Sequence, residues 1–410
     1  MHVPGHHPAE DMADATDARI RRIRRIPPLW VLIVATALAS FALQVLVPAM
    51  PGLVHVFGVD YGTVQASLTV YLVGLTVGQL LYGPLSDRFG RRPVLLAGFG
   101  LFLLGTLACI FAWDIGALLL GRALQAFGGC AGIVLSRAIV RDIYERERAA
   151  QMIAYITAGM VIAPMAGPVV GGYLYEWYGW QAIFWFVLAF GVFVTASCAL
   201  LLHETHHDRG PTTTMGDLFG GFGVLLRMRR FRGYALQVAF TTASFYSFLG
   251  GAPFVAQEIM GRSAAGYGWW FVLISGSYMA GNFTSGRIGA RVGSDRMISI
   301  GTVLSLVGGI VLLIVTLAGM LDLPSFFLIS GVISVGNGFS MPNGFAGAVS
   351  VDPARAGTAS GLAGALQMGI GAILMTVVGH TLSDSAMPVV VMMLVGAFFA
   401  WLSHLHGMRR

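Results

Sequence analysis

Charge is what this sequence has least of. Only 11% of its 410 residues are charged and 56% are hydrophobic, whereas a soluble globular chain carries about a quarter charged residues. So few charges cannot cover a soluble 43.6 kDa protein, and most of the surface must face lipid. Lysine is absent, and all 25 basic residues are arginine. The formal net charge of +6 is read as the basic face of a membrane protein rather than as a cue for nucleic acid. Cysteine is scarce too. Cys109, Cys130 and Cys198 lie in apolar runs, at spacings that exclude a zinc site or a disulfide framework and leave helix packing. No small-residue cleavage site follows the first apolar run. Residues 1–28, with Arg21, Arg22, Arg24 and Arg25, are therefore expected to form a cytoplasmic tail before a start-transfer helix, not a removed signal peptide.

What is abundant is the long apolar run. Stretches of roughly twenty residues, each enough to cross a bilayer, recur near 29–49, 63–84, 93–112, 116–138, 149–173, 180–202, 233–256, 266–287, 297–319, 325–348, 357–381 and 386–405. The 55 glycines suit close helix approach in lipid. The expected fold is an all-α membrane protein of twelve transmembrane helices in two pseudo-symmetric six-helix bundles. The bundles are residues 29–202 and 233–406, joined by a cytoplasmic linker at 203–232. With the N-terminus inside, every arginine falls in the tails or inner loops except Arg262, outside, and Arg122, within a span. The outer loops carry Asp60, Asp114, Glu176, Glu258, Asp322 and Asp384 instead. Arginine placement thus predicts both termini on the cytoplasmic side of a bacterial inner membrane.

The halves echo each other. Gly83-Pro84-Leu85-Ser86-Asp87-Arg88-Phe89-Gly90 follows the second run, and Gly286-Arg287-Ile288-Gly289-Ala290-Arg291-Val292-Gly293 follows the eighth. Glycines and the second arginine coincide, while Ala290 stands where the first copy has Asp87. Duplicated six-helix units are typical of transporters whose halves rock about a central site.

The stretch GPLSDRFGRRPVL at 83–95 resembles the loop 2–3 signature of the major facilitator superfamily. Gly83 and Gly90 permit close approach, Asp87 can accept from arginine or a helix N-terminus, and Arg88, Arg91 and Arg92 suit an anionic inner surface. The resemblance implies a latch between the halves here, not a substrate contact. Arg122-Ala123-Leu124-Gln125 followed by Gly128-Gly129 resembles the second motif of that superfamily. Such an arginine either faces a cavity or partner, or snorkels to the membrane edge. Pro164, Gly167, Pro168, Gly171 and Gly172, after Ala163, resemble the third motif, typical of drug/proton antiporters. Prolines that weaken the helix and a flat glycine face imply a part in the conformational switch. With 137–142, 202–205, 229–236 and 251–255, the chain resembles the Bcr/CflA drug-resistance subfamily from about residue 29 onward. That resemblance implies efflux of small amphipathic compounds, by proton antiport and alternating access, from a monomer in the lipid bilayer with no cofactor, metal or nucleic acid.

One departure matters. That subfamily often ends its first span with Asp, then Tyr, then Pro-x-x-Pro; here Gln44 and Leu46 precede Pro48 and Pro51. No Asp or Glu lies in the middle of any run, so the interior is neutral to positive through Arg122. This disfavours lipophilic cations and favours neutral, phenicol-like, anionic or zwitterionic substrates. It also keeps a second reading open, a carrier of one anionic or zwitterionic metabolite with atypical coupling. Asp142 could titrate or pair with the loop 2–3 arginines. Candidate cavity residues are Gln44, Tyr71, Arg122 and Gln125, then Tyr246, Tyr278, Asn282, Asn337 and Gln367; apart from Arg122, interhelical hydrogen bonding accounts for them equally well. Trp269 and Trp270 read as interfacial anchors. His203-Glu204-Thr205-His206-His207 fits HExxH, but it lies where the sixth run ends and has no evident third ligand, so catalysis is not expected.

Overall fold

In the computed structural model, residues 27–205 and 215–408 are described. The tail with His2, His6 and His7, the segment holding His206, His207 and Arg209, and Arg409 and Arg410 lie outside them. Every regular element among the described residues is helical. In chain order they are α1 (Leu29–Phe57), α2 (Tyr61–Phe89), α3 (Arg91–Ile110), α4 (Ile115–Ile143), α5 (Arg146–Tyr178), α6 (Trp180–Leu201), α7 (Met215–Arg227), α8 (Arg229–Ile259), α9 (Ala264–Val292), α10 (Ser294–Leu317), α11 (Leu323–Ser350), α12 (Ala356–Thr381) and α13 (Met387–Met408). All but α7 have membrane length. Among the described residues, ten are apolar enough to span by composition. The other two, α5 and α9, are 33 and 29 residues long. Glycine, serine and asparagine dilute α9, and α5 and α9 pack against each other.

The ends follow local chemistry. Asp60 and Asp114 cap α2 and α4 by accepting from Thr63 and Ala117 amides, and Ser263 caps α9. Asp322 forms a full capping box with Ser325 on α11. Gly90 and Gly293 turn the chain between α2 and α3 and between α9 and α10 at φ 98° and 90°, a region other residues rarely enter. The 203-residue offset between them also separates Asp60 from Ser263, so the duplication is one of backbone frame.

The sequence boundaries fell short where helices leave the membrane. α1 continues past 49 to Phe57 across a 3-10 turn at Val47–Ala49, where Pro48 and Pro51 interrupt regular bonding. Arg137, counted with a loop, lies inside α4, which runs to Ile143. The linker contains α7, which packs on α8 and α12.

Helices α1–α6 pack mainly among themselves and α8–α13 likewise, and two pairs, α2–α12 and α5–α9, make the main seam between them. One face of the molecule carries the capping acids, the other the arginine-rich loops. At the acid-bearing face the seam is shut. Tyr61 Oη donates to Gly250 O at 2.8 Å, Gln65 Nε2 to Met375 O at 2.5 Å and Gln257 Nε2 to Pro48 O at 2.9 Å. The Ala265 amide donates to Glu176 Oε1 at 2.8 Å. Backbones touch as well, since a Cβ on Gly268 would sit 2.6 Å from Pro168 O. At mid-depth Gln79 still reaches Gly364. One and two turns further along the same stripes, a Cβ on Gly83, Gly361 or Gly357 would meet nothing within 4 Å among the described residues, and the same holds for Gly276 and Gly286 on α9. The seam is therefore closed at the acid-bearing face and parted at the arginine-rich one.

Candidate functional site

The first half has a polar cluster at its centre, built by α1, α2, α3 and α4. Glycines let α3 and α4 meet backbone to backbone: a Cβ on Gly105 would lie 2.4 Å from Gln125 N, and one on Gly128 2.3 Å from Phe102 N. Into this packing α4 projects Arg122, which is fully buried, so it does not snorkel. Its Nη1 donates to Ala42 O at 2.9 Å and Gln125 Oε1 at 2.6 Å, and its guanidinium lies 4.1 Å from the Tyr71 ring centroid. Gln125 Nε2 donates in turn to Thr106 Oγ1 at 2.8 Å, and Tyr71 Oη to Ala39 O at 2.9 Å. Among the described residues, Arg122 Nε and Nη2 have no hydrogen-bond partner, nor does Gln44 Oε1. A buried cation held by a carbonyl, an amide oxygen and a π face, without a carboxylate, retains capacity to bind negative or strongly accepting groups.

Gln44 faces α5. A Cβ on Gly167 would meet Gln44 Cβ at 2.8 Å and one on Gly171 would meet Val45 O at 1.9 Å, while Gly172 abuts Ala264 and Ala265 of α9. The α5 glycines thus admit the break in α1 on one side and α9 on the other, next to Pro164 and Pro168 within the helix. Any side chain at Gly171 would force α1 and α5 apart.

A second cluster sits at the arginine-rich face. Arg91 Nε donates to Asp142 Oδ2 at 2.9 Å, and its Nη1 to Ser86 Oγ at 2.6 Å and to Asp87. Glu204 caps α3, accepting from the Arg91 and Arg92 amides at 3.0 and 3.2 Å, and Thr205 Oγ1 reaches Asp142 Oδ2 at 3.2 Å. A carboxylate at a helix N-terminus is the favoured placement, so Glu204 is a cap within the HExxH look-alike. Arg92 Nη2 donates to Ala199 O at 2.8 Å, and Arg88 lies 5.1 Å from the Phe89 ring. These bonds join α2, α3, α4 and the end of α6, so among the described residues the expected latch between the halves is a lock within the first half, at the face where the seam is parted. No group of three His, Cys, Asp or Glu among the described residues could hold a metal.

The second-half candidates do not form one cluster. Tyr246 Oη contacts Met368 Sδ at 3.3 Å and Tyr278 Oη contacts Met341 Sδ at 3.8 Å. Asn282 is half-buried at the α9–α11 contact, where a Cβ on Gly338 would meet its amide. Gln367 is buried on α12. Asn337 accepts from Ser305 at 3.1 Å and lines a cavity of about 10 Å³ with Ser330, Ser334 and Ser244. Trp269 is exposed and donates to Tyr173, whereas Trp270 packs on Phe327. Sequence reasoning passed over Gln65, Gln79, Thr106 and His404. The first two were legible, because Gly62, Gln65, Thr69, Thr76, Gln79 and Gly83 follow helical spacing on one face of α2.

Comparison with known proteins agrees with this architecture. The sequence profile of the Major Facilitator Superfamily matches residues 32–376. An uncharacterized MFS-type transporter, YdgK of Bacillus subtilis (strain 168), is 32% identical over 365 residues, covering 88% of this chain and 90% of that protein. Multidrug resistance protein D of Escherichia coli (strain K12) is 29% identical, covering 83% and 85%. A chloramphenicol resistance protein of Pseudomonas aeruginosa is 29% identical, covering 86% and 84%. The crystal structure of a bacterial homolog of the human lysosomal transporter Spinster, inward-facing and unoccupied, superposes with a TM-score of 0.72 at 16% identity over 92% of this chain and 96% of that one. Twelve membrane-length helices, a seam of two helix pairs and a profile match over most of the chain lead to one conclusion: this multi-pass membrane protein belongs to the Major Facilitator Superfamily, a family of transporters and not of enzymes.

Proposed function

We propose that the protein exports small amphipathic compounds from the cytoplasm by alternating access, coupled to proton antiport, as a monomer in the bacterial inner membrane. The arginine-rich face is then cytoplasmic, with both termini on that side, and the arrangement seen is inward-facing. The two bundles, 29–202 and 233–406, are the moving bodies. Relatives named for multidrug and chloramphenicol resistance support efflux.

The observation that carries the substrate class is Arg122, fully buried with Nε and Nη2 unpartnered among the described residues, in an interior where Gln44 stands at the position of the subfamily's acid. A phenicol-like neutral compound rich in acceptors suits it, and a lipophilic cation does not. Gln44, Tyr71, Arg122 and Gln125 line the path in the first half, and Tyr246, Tyr278, Asn282, Asn337 and Gln367 in the second. Asp87, Arg88, Arg91, Arg92 and Asp142, with Gly83, Gly90 and the α5 prolines and glycines, form the switch. Chloramphenicol flux in proteoliposomes under an imposed pH gradient tests this; flux that ignores the gradient ends the antiport reading.

The carboxylate-free guanidinium also favours a second reading, carriage of one anionic or zwitterionic metabolite. Loss of anion movement in Arg122→Ala, with no chloramphenicol flux in either protein, selects it.

A further inference from the structure

Antiport needs a group that takes and releases a proton during the cycle, and the first-half interior offers none. Its acids lie at helix ends, and the buried guanidinium of Arg122 stays protonated in proteins. The second half holds a different set. His404 on α13 is only 2% exposed, yet imidazole is the side chain whose ordinary titration range lies near neutrality. Its Nε2 lies 2.8 Å from Ser299 Oγ on α10. Ser299 Oγ is also within hydrogen-bond distance of Asp295 O, at 3.0 Å. Ser299 Oγ and His404 Nε2 are thus hydrogen-bonded, the donor being set by the ring tautomer, and a neutral ring keeps one lone-pair nitrogen that can bind a proton. The Asp295 charge is close enough to act on the ring. Asp295 Oδ1 accepts from Tyr234 Oη of α8 at 2.6 Å. A chain of four residues, Tyr234–Asp295–Ser299–His404, linked through the Asp295 carboxylate on one side and its backbone carbonyl on the other, thus ties α8, α10 and α13 together near the arginine-rich face.

The surroundings suit a proton port. Asp295 and Tyr234 are half-buried while His404 is enclosed, so the chain runs from near solvent to interior. On α8, Arg230 acts electrostatically on Tyr234, and Arg229 Nε donates to His406 O at 2.9 Å. Arg232, also on α8, donates to Leu226 O at 2.9 Å, Arg296 is exposed on α10, and at the start of α12 Arg355 is paired with Asp352 at 2.6 Å. Asp295 is the carboxylate acting on the imidazole. Beside the chain, Gly233 and Gly407 bring α8 and α13 into backbone contact, a Cβ on Gly233 lying 2.5 Å from Gly407 Cα. A charge created on His404 would act directly on this tight joint.

We propose that His404, positioned by Ser299 and Asp295, is a proton-binding site of the second half and supplies the exchangeable proton for transport; this rests on the antiport reading above. Two measurements on the full chain in lipid nanodiscs and proteoliposomes separate the two ideas. In protein labelled with 15N-histidine, the resonance missing from His404→Gln should titrate between about pH 5 and 8, and its midpoint should move when chloramphenicol is added. A resonance constant across that range overturns the site regardless of transport. In proteoliposomes, wild type should accelerate chloramphenicol flux under a pH gradient. His404→Gln should move chloramphenicol down its own gradient at the wild-type rate but lose the pH acceleration, and Asp295→Asn should shift the pH midpoint. If His404→Gln keeps the full pH response, the site is overturned while antiport stands. If wild type shows no response although His404 titrates, antiport fails and the coupling role with it.

Discussion

The two halves share a backbone plan and divide the chemistry between them. Gly90 and Gly293 make the same turn, and Asp114 and Asp322 cap equivalent helices. Aligned on those caps, Arg122 of α4 falls opposite Ser330 of α11. The first half fills that position with a guanidinium, whereas the second has an unpartnered Ser330 hydroxyl beside a cavity of about 10 Å³, just enough for one water. At the arginine-rich face the first half is locked by Arg91 between two carboxylates. The second is held by tyrosine, one carboxylate, serine and histidine. Fixed charge lies in one half and a buried imidazole in the other, on one shared backbone frame.

The comparison is strained most by removing the fixed lock. Arg91→Ala leaves Asp142 and Asp87 without their cation. Removing one partner of a buried pair costs about 3–5 kcal/mol, but Asp87 is 39% exposed. A loss of about 2 kcal/mol is therefore expected, read as a lowered melting temperature in detergent. Tyr234→Phe, which removes one hydrogen bond from the other lock, should cost about 1 kcal/mol. Equal losses would show that the two locks do not differ in kind.

Next comes the interior. Arg122→Ser gives the first half the residue of the second. Chloramphenicol flux should fall about tenfold, equivalent to about 1.4 kcal/mol, while the melting temperature holds or rises because a desolvated charge has been removed. Ser330→Ala should leave flux near wild type. A parallel fall in stability and flux for Arg122→Ser would mean that the guanidinium is merely structural.

How far the sequence could be read differs between frame and interior. Twelve apolar runs, arginine placement and the repeated Gly-Arg turn made the fold legible, because membrane insertion acts on composition and spacing. Arg122 and Gln125 were legible as a pair, being three residues apart on one helix. Glu204 was not readable as the cap of α3, nor His404 as a partner of Ser299, since these contacts span 113 and 105 residues and follow from packing alone. The scatter of Tyr246, Tyr278 and Asn337 has the same cause: a polar residue at mid-depth can face the path or a neighbouring helix, and spacing does not say which.

A smaller effect is expected at Gln44, where the subfamily's acid is missing. Gln44→Asp restores a carboxylate to the break in α1 and should raise resistance to a cationic compound such as ethidium several-fold in a pump-deleted host, leaving chloramphenicol resistance within twofold. Unchanged ethidium susceptibility, with the protein present at wild-type level, would show that charge selectivity is set elsewhere.

The smallest effect separates the equivalent caps. Asp322 forms a reciprocal box with Ser325, whereas Asp114 accepts from the Ala117 amide at 2.7 Å. Hydrogen bonding from the Ser325 side chain, then from its amide, holds the Asp322 carboxyl below its ordinary value. A carboxyl with a depressed folded value stabilises the protein above its unfolded value and loses that contribution as pH falls through the lower folded one. The Asp322 contribution should therefore be complete at neutral pH and decline only below about pH 4. Asp322→Ala should lower the melting temperature at pH 7 slightly more than Asp114→Ala, and the Asp322 deficit should narrow on acidification below about pH 4. The opposite ranking would mean that cap geometry does not distinguish the halves at the acid-bearing face, which would confine their difference to the interior and the locks.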